Sequence, residues 1–182
     1  MTKRAVIIID LQNEYLPTGK LPLAGIEAAV ANAVKVIDDA RANGVPVIHV
    51  RHEFAHDELP VFVPGTDGVR IQQAVAPLEG EPVILKNYPN AFRETELKRL
   101  LEEREIEELT VLGAMSHMCV DAGVRAAADM GYPVTVLHDA CATLDLEFGG
   151  VTVPAAQVHA AMMAALAFGY ATVESTEQYL AG

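Results

Sequence analysis

Short apolar runs alternate along the chain with longer stretches in which apolar residues recur every three or four positions. The short runs lack a polar residue at every second position, which indicates strands that are buried on both faces. The longer stretches have the 3.6-residue period of amphipathic helices. We therefore predict helices between six strands, which lie at residues 4–10, 45–51, 82–86, 109–114, 133–139 and 171–175.

This order of elements predicts an α/β fold, with three α/β/α layers around a six-stranded, mostly parallel, doubly wound (Rossmann-like) sheet. Right-handed strand–helix–strand connections place helices on both faces of such a sheet. No linker or repeat interrupts the chain, so we expect a single domain over residues 1–182. Ligands bind beyond the carboxyl ends of the strands, and we predict functional loops at 11–24, 52–68 and 140–153.

Composition and charge argue against two classes of binding partner, nucleic acids and membranes. A net charge of −12 repels the phosphates of nucleic acid, and the 13 Lys and Arg residues form no basic stripe. No apolar run reaches the roughly 18 residues of a membrane-spanning helix. We therefore expect no nucleic acid and no membrane as partners. The first apolar run stops at Asp10 without a cleavage site after it, which favours a cytoplasmic protein with free thiols at Cys119 and Cys141.

Three residues with complementary chemistry stand at the ends of predicted strands. Asp10 ends the first strand, Lys86 ends the third, and Cys119 opens a helix after the fourth. A helix N-terminus and a nearby cation both favour the thiolate form of a cysteine. Asp10 is suited to take the thiol proton when substrate arrives and to return it to a leaving amine. The small residues before Cys119 allow backbone amides to face an oxyanion, with Ser116 as the expected helix N-cap.

Four segments resemble, in sequence and in order, the isochorismatase-like cysteine hydrolases and their nicotinamidase-related branch: "IIIDLQNEY" (7–15), "KNYPNAF" (86–92), "GAMSHMCVDAGVRAAADMGY" (113–132) and "DACAT" (139–143). The resemblance covers nearly the whole chain. It implies a catalytic triad of Asp10, Lys86 and Cys119. It also implies a cis peptide bond between Ala114 and Met115, and an oxyanion hole formed by the amides of Met115 and Cys119.

The resemblance further implies that the Cys119 thiolate attacks an amide-like carbonyl and that water hydrolyses the resulting thioester. The expected activity is cleavage of a non-peptide amide or carbamoyl C–N bond in a small molecule, without a cofactor. Relatives that hydrolyse isochorismate lack the cysteine nucleophile, so Cys119 argues against that substrate. The alternative is a noncatalytic small-molecule-binding or scaffold relative; a nucleotide site is disfavoured because no G-x-G-x-x-G follows the first strand. Family similarity and the Ala- and Met-rich last long helix favour a homodimer or higher homo-oligomer.

The stretch "RHEFAH" contains His52, Glu53 and His56 in the H-E-x-x-H spacing of zinc peptidases. That motif requires a helix, whereas this stretch follows a predicted strand and precedes a segment with prolines and glycines. We predict a specificity loop and no metal. Because the nicotinamidase branch carries metal ligands after this strand, a divalent metal at these three residues remains the alternative.

Further residues near the strand ends are expected to contact substrate, because pocket walls combine aromatic groups with a few polar ones. They are Gln12, Tyr15, His52, Phe54, Phe92, His117 and Met118, with Phe62 as another candidate aromatic wall. Gln12 and Asn13 are also candidates to orient Asp10. By contrast, we expect Cys141 to be a buried structural thiol and His159 a hydrogen-bonded helix histidine.

Overall fold

The computed structural model describes residues 3–54 and 59–182. The strands in these ranges are β1 (Arg4–Ile9), β2 (Val47–His52), β3 (Val83–Lys86), β4 (Glu108–Ala114), β5 (Val134–Ala142), β6 (Leu146–Phe148), β7 (Val151–Val153) and β8 (Thr172–Glu174). The α-helices are α1 (Ile26–Ala42), α2 (Leu97–Glu103), α3 (Asp121–Asp129), α4 (Ala155–Gly169) and α5 (Thr176–Ala181). The six predicted strands correspond to β1–β5 and β8.

These six strands form one parallel sheet in the order β3–β2–β1–β4–β5–β8. Alternate side chains of β1 enter two cores: Ile7 and Ile9 pack with α2, α3 and α4, whereas Val6 and Ile8 pack with α1 and α5. Helices therefore cover both faces, which confirms the predicted three-layer α/β/α fold. In the part of the chain that the structure describes, no helix is long and apolar enough to cross a membrane.

The segment predicted as a loop at 140–153 is largely extended chain. Strand β5 continues to Ala142, and β6 and β7 form an antiparallel hairpin in which Phe148 pairs with Val151. Gly149 and Gly150 connect the two strands with φ values of 61° and 78°. Two consecutive residues with positive φ form the type I′ turn that suits a two-residue hairpin, and glycine adopts this conformation readily. The Gly-Gly pair between two β-branched or aromatic residues was therefore an overlooked hairpin signal.

The strand order reverses at β1, because β2 lies on one side of it and β4 on the other. Asp10 follows β1 directly, while His52 and Lys86 are register partners at the ends of β2 and β3. The turn that carries Cys119 follows β4. Since carboxyl ends of parallel strands share one edge, these four residues meet at the position where ligands bind to such sheets.

Candidate active site

The Lys86 ammonium group lies at the centre of the residues that meet at this edge. Its Nζ is 2.7 Å from Asp10 Oδ2, 3.2 Å from Cys119 Sγ and 3.3 Å from His52 Nδ1. Asp10 and Lys86 are completely buried, and Cys119 is 6% exposed. Asp10 itself has a positive φ of 51°, a left-handed conformation that aspartate tolerates better than most residues. The three residues of the expected triad are thus in contact through Lys86.

Burial dominates the proton affinities of this group. It raises the pKa of Asp10 above its ordinary value despite the opposing charge of Lys86. It also raises the pKa of the Cys119 thiol to about 12, because burial and the Asp10 carboxylate together outweigh Lys86. Burial alone would lower the pKa of Lys86, but the Asp10 carboxylate and the contact with Cys119 raise it overall. Burial therefore opposes the thiolate form that a helix N-terminus and a cation alone would favour.

The turn after β4 positions the thiol next to this ion pair. The peptide bond between Ala114 and Met115 is cis, as the resemblance implies. Residues Ser116–Val120 form a π-helical turn in which the Val120 N–H donates to the Met115 carbonyl at 3.2 Å, and α3 follows directly. The two amides expected to form the oxyanion hole, those of Met115 and Cys119, both belong to this turn.

Ser116 does not have the predicted N-cap role, because Met115 occupies that position and no side chain caps the turn. The Ser116 hydroxyl instead lies 2.8 Å from His159 Nδ1 and 3.3 Å from the Ala142 carbonyl oxygen. The prediction was wrong because the hydroxyl points towards α4 and β5. His159 makes the hydrogen bond expected of it, and this contact fastens the turn to α4.

An aromatic cluster surrounds His52 on the other side of the site. The His52 ring contacts Phe54 edge-on at 4.6 Å and Phe62 at 5.3 Å between centroids. Tyr15 contacts Phe62 edge-on at 5.1 Å and is itself buried. Edge-to-face contacts of this kind hold aromatic rings in fixed orientations. These residues form one continuous wall beside Lys86.

The expected substrate-binding residues on the opposite side differ in exposure. Met118, next to the nucleophile, is 40% exposed. His117 is half-buried, with Nδ1 2.6 Å from Thr143 Oγ1, and burial lowers its pKa. Phe92 is half-buried and packs against the core under α2 and α3. Met118 thus offers the largest accessible apolar surface beside Cys119.

Comparison with known proteins identifies the family. Residues 4–178 match the family model described as the Isochorismatase domain. The chain belongs to the isochorismatase family. An uncharacterized isochorismatase family protein of Bacillus subtilis, YddQ, is 47% identical over 97% of this chain and 98% of its own length. A crystal structure of a protein from Oleispira antarctica assigned to the isochorismatase hydrolases is 53% identical, with a TM-score of 0.96 over 100% of this chain and 97% of its own.

Several more distant relatives are named as a hydrolase or as amidases. A streptothricin hydrolase of Streptomyces noursei is 33% identical over 84% of this chain and 55% of its own length. An N-carbamoylsarcosine amidase of an Arthrobacter species is 30% identical over 70% of this chain and 55% of its own. Nicotinamidase 3 of Arabidopsis thaliana is 28% identical over 92% of this chain and 82% of its own. This isochorismatase-family hydrolase therefore has amidases among its relatives.

Two of the three candidate metal ligands after β2 of this isochorismatase-family protein, His52 and Glu53, contact other side chains. His52 contacts the Lys86 ammonium group, and Glu53 pairs with Arg51 at 2.5 Å. His56 lies outside the described residues. Among the residues that the structure describes, no group of three or more His, Cys, Asp or Glu side chains is placed to hold a metal ion. A helix is not formed at residues 51–54 either, so the zinc-peptidase arrangement is not present there.

The Gln12 side chain forms hydrogen bonds with the backbone of two neighbouring segments. Its side chain accepts from the His52 N–H at 2.8 Å and donates to the His52 carbonyl at 2.8 Å and the Val69 carbonyl at 2.9 Å. It is completely buried. Asn13 donates to Asp67 at 3.1 Å. In this family member, Gln12 fixes the end of β2 rather than contacting the Asp10 carboxylate.

Two residues that the sequence did not single out complete this framework. Glu14 is buried, and its Oε1 accepts from the Phe62 N–H at 2.9 Å. Gln72 donates to the Gln12 carbonyl at 3.0 Å. Their partners lie 48 and 60 positions away along the chain. The sequence offers one signal, a glutamate, Glu14, directly before an aromatic residue, Tyr15. The hydrogen bond that Glu14 accepts depends on a loop whose position the sequence does not specify.

Proposed function

We propose that this isochorismatase-family hydrolase cleaves an amide or carbamoyl C–N bond of a small molecule through a Cys119 thioester. The observation that carries the proposal is the contact of Lys86 Nζ with both Asp10 and Cys119 inside a buried site at the strand-order reversal. The amidases among the relatives support the same bond type. The chemistry needs only substrate and water.

In the first step Asp10 acts as general base. Asp10 Oδ1 has no hydrogen-bond partner among the described residues, so this oxygen is free to take the Sγ proton. The raised pKa of the buried carboxyl makes it a better proton acceptor than an exposed aspartate. Lys86 stabilises the thiolate that forms. The thiolate attacks the carbonyl carbon, and the amides of Met115 and Cys119 donate to the developing oxyanion.

The C–N bond breaks when the tetrahedral intermediate collapses. The proton held by Asp10 passes to the departing nitrogen, which leaves as ammonia or an amine, and the acyl group stays on Cys119 as a thioester. A water molecule then gives a proton to Asp10 and attacks the thioester. Collapse of this second intermediate releases the acid, and the proton returns to the Cys119 sulfur.

The remaining side chains of the site define which small molecules fit. We propose that Tyr15, Phe54 and Phe92 form aromatic walls, that Met118 contributes apolar surface, and that His117 offers a polar contact. His52 and Gln12 are buried, and their side chains contact Lys86 and a backbone carbonyl respectively. The buried thiol favours a compact primary amide, carbamate or urea.

The test compares wild type, Cys119→Ala and Cys141→Ala on a panel of primary amides, carbamates and ureas, with ammonia release as the readout. Cys141 is the matched control, because it is a buried free thiol with a pKa also raised to about 12. We expect wild type and Cys141→Ala to release ammonia from at least one compound and Cys119→Ala to release none. Full turnover by Cys119→Ala on that compound contradicts the mechanism. Binding without turnover by wild type supports the noncatalytic alternative.

We also propose that the protein is one cytoplasmic domain that assembles as a homodimer or larger homo-oligomer. The outer face of α4 supports assembly, because it exposes small and apolar side chains and one phenylalanine that is 96% exposed: Ala156, Ala160, Ala161, Ala164, Ala165, Ala167 and Phe168. Apolar patches of this kind on a helix mark contact surfaces.

A further inference from the structure

The Lys86 ammonium group has three N–H donors, and three side chains among the described residues lie within hydrogen-bond distance of it. Asp10 and Cys119 account for two donors, and His52 Nδ1 lies 3.3 Å from Nζ, within reach of the third. All four side chains are buried. An imidazole nitrogen accepts a hydrogen bond only when it carries no proton, so this contact requires a neutral His52 with its hydrogen on Nε2.

The fold holds the His52 ring in the orientation that this contact needs. Gln12 binds both the N–H and the C=O of His52, which fixes the backbone at the end of β2. Phe54 and Phe62 contact the ring edge-on at interplanar angles of 88° and 75°. The backbone hydrogen bonds and the two ring contacts therefore fix the position of the His52 ring beside Lys86.

From this geometry we propose that His52 is a positioning residue for Lys86. Its Nδ1 engages the third N–H of the ammonium group and thereby directs the other two at the Asp10 carboxylate and the Cys119 sulfur. The proposal rests on the proposed function, since it assigns a role within the same site.

Charge in the site agrees with this arrangement. Burial, together with the Lys86 charge, lowers the pKa of His52 to about 3, so the ring stays neutral. Within the described part of the chain, the titratable groups that contact Lys86 are Asp10 from the end of β1, Cys119 from the turn after β4 and His52 from β2. Tyr15 lies near them, with its pKa raised well above its ordinary value by burial and by the charges of Asp10 and Cys119.

The test measures the alkylation rate of Cys119 by iodoacetamide as a function of pH, with the labelled peptide assigned by mass spectrometry. His52→Leu keeps the apolar bulk but removes the acceptor. His52→Asn places its amide oxygen near the position of Nδ1, whereas His52→Gln places it near Nε2, out of reach of Lys86. His49→Leu is the control, because His49 is a buried histidine of the same strand whose ring contacts Glu81 at 3.1 Å.

We expect His52→Leu and His52→Gln to react about tenfold more slowly than wild type at any pH below the thiol pKa, because a displaced Lys86 stabilises the thiolate less. His52→Asn and His49→Leu should react at the wild-type rate. If wild type hydrolyses a test amide, kcat should fall about 10- to 100-fold in His52→Leu with KM changed less than about threefold.

The proposal is overturned if His52→Leu and His52→Gln react as fast as wild type, or if His52→Asn or His49→Leu is equally slow. Should His52→Leu fail to fold, the alkylation rates of His52→Asn and His52→Gln decide between the two outcomes. Alkylation needs no substrate, so absence of any amide hydrolysis by wild type would refute the proposed function and leave this test intact.

Discussion

Lys86 and Asp10 form an ion pair of 2.7 Å between Nζ and Oδ2, and neither side chain has any exposed surface. Two opposite charges in a buried site depend on each other, because removal of one leaves the other without compensation. Cys119, the third member of the site, contacts Lys86 from the turn after β4. Catalysis and stability are therefore coupled at this pair.

We expect Asp10→Asn and Lys86→Met each to abolish hydrolysis and to lower the free energy of unfolding by about 3–5 kcal/mol, because each leaves one buried charge unpaired. The double variant Asp10→Asn/Lys86→Met removes both charges. It should remain inactive but lose less stability than the sum of the single changes. Urea denaturation followed by circular dichroism measures all three, and strict additivity would show that the two residues do not interact.

Gly113 in β4 tests how closely this strand must approach β1. A Cβ atom at Gly113 would lie 2.0 Å from the Ile9 carbonyl oxygen, and the residue has a φ of 130°. We expect Gly113→Ala to destabilise the protein by about 3 kcal/mol or more, since both the clash and the backbone conformation oppose it. Gly131 is the control, because it has a φ of 94° but a Cβ atom there would meet no described atom within 4 Å.

The control Gly131→Ala should cost only about 1 kcal/mol, because it carries the backbone penalty without a clash. Thermal and urea denaturation of both variants give the comparison. Equal losses at the two positions would mean that β1 and β4 can separate to admit a methyl group.

Glu81 connects α1 with β2 at a distance from the active site. Its contacts predict that the free energy of unfolding falls at acid pH. It binds Arg41 through two hydrogen bonds of 2.8 and 2.9 Å and His49 at 3.1 Å. The Arg41 hydrogen bond, with help from the Leu78 N–H, lowers the pKa of Glu81 to about 2 from its ordinary 4.5. A lowered pKa stabilises the fold above pH 4.5, and this contribution is lost as the pH falls towards 2.

We expect Glu81→Gln to lose up to about 3 kcal/mol at neutral pH and to show a weaker pH dependence than wild type in this acid range. Glu103→Gln removes an exposed surface pair with Arg99 and should change stability by less than about 1 kcal/mol. Urea midpoints measured across the acid range provide the data. If the urea midpoints of Glu81→Gln and wild type fell in parallel with pH, the lowered pKa of Glu81 would not be the cause of the acid dependence.

If the exposed face of α4 is the contact surface between subunits, a charged residue introduced there should prevent assembly. We expect wild type to be a dimer or larger species by light scattering, and Ala161→Glu and Phe168→Glu to yield monomers, because a carboxylate cannot be buried without a partner. Glu102→Lys on the exposed side of α2 should leave the assembly unchanged. A monomeric wild type, or dimers in both α4 variants, would contradict this use of the helix face.

Much of the fold could be predicted because burial leaves a local record in the sequence. The strands of a parallel sheet read as apolar runs, and the amphipathic period of α1 follows from its packing on one face. The hairpin β6–β7 was missed because its strands are three residues long and largely exposed. The short helix α5 was missed too, although Ser175 and Gln178 form its capping box.

The sequence by itself determined the fold class and the convergence of Asp10, Lys86 and Cys119, because residues after parallel strands must meet at one edge. Only the tertiary structure decided that the pKa of Cys119 is raised, since this pKa depends on burial and on charged groups from two other strands. The tertiary structure also decided that His52 contacts Lys86, a residue 34 positions away. Such contacts depend on angles and distances between distant segments, and no local pattern in the chain records them.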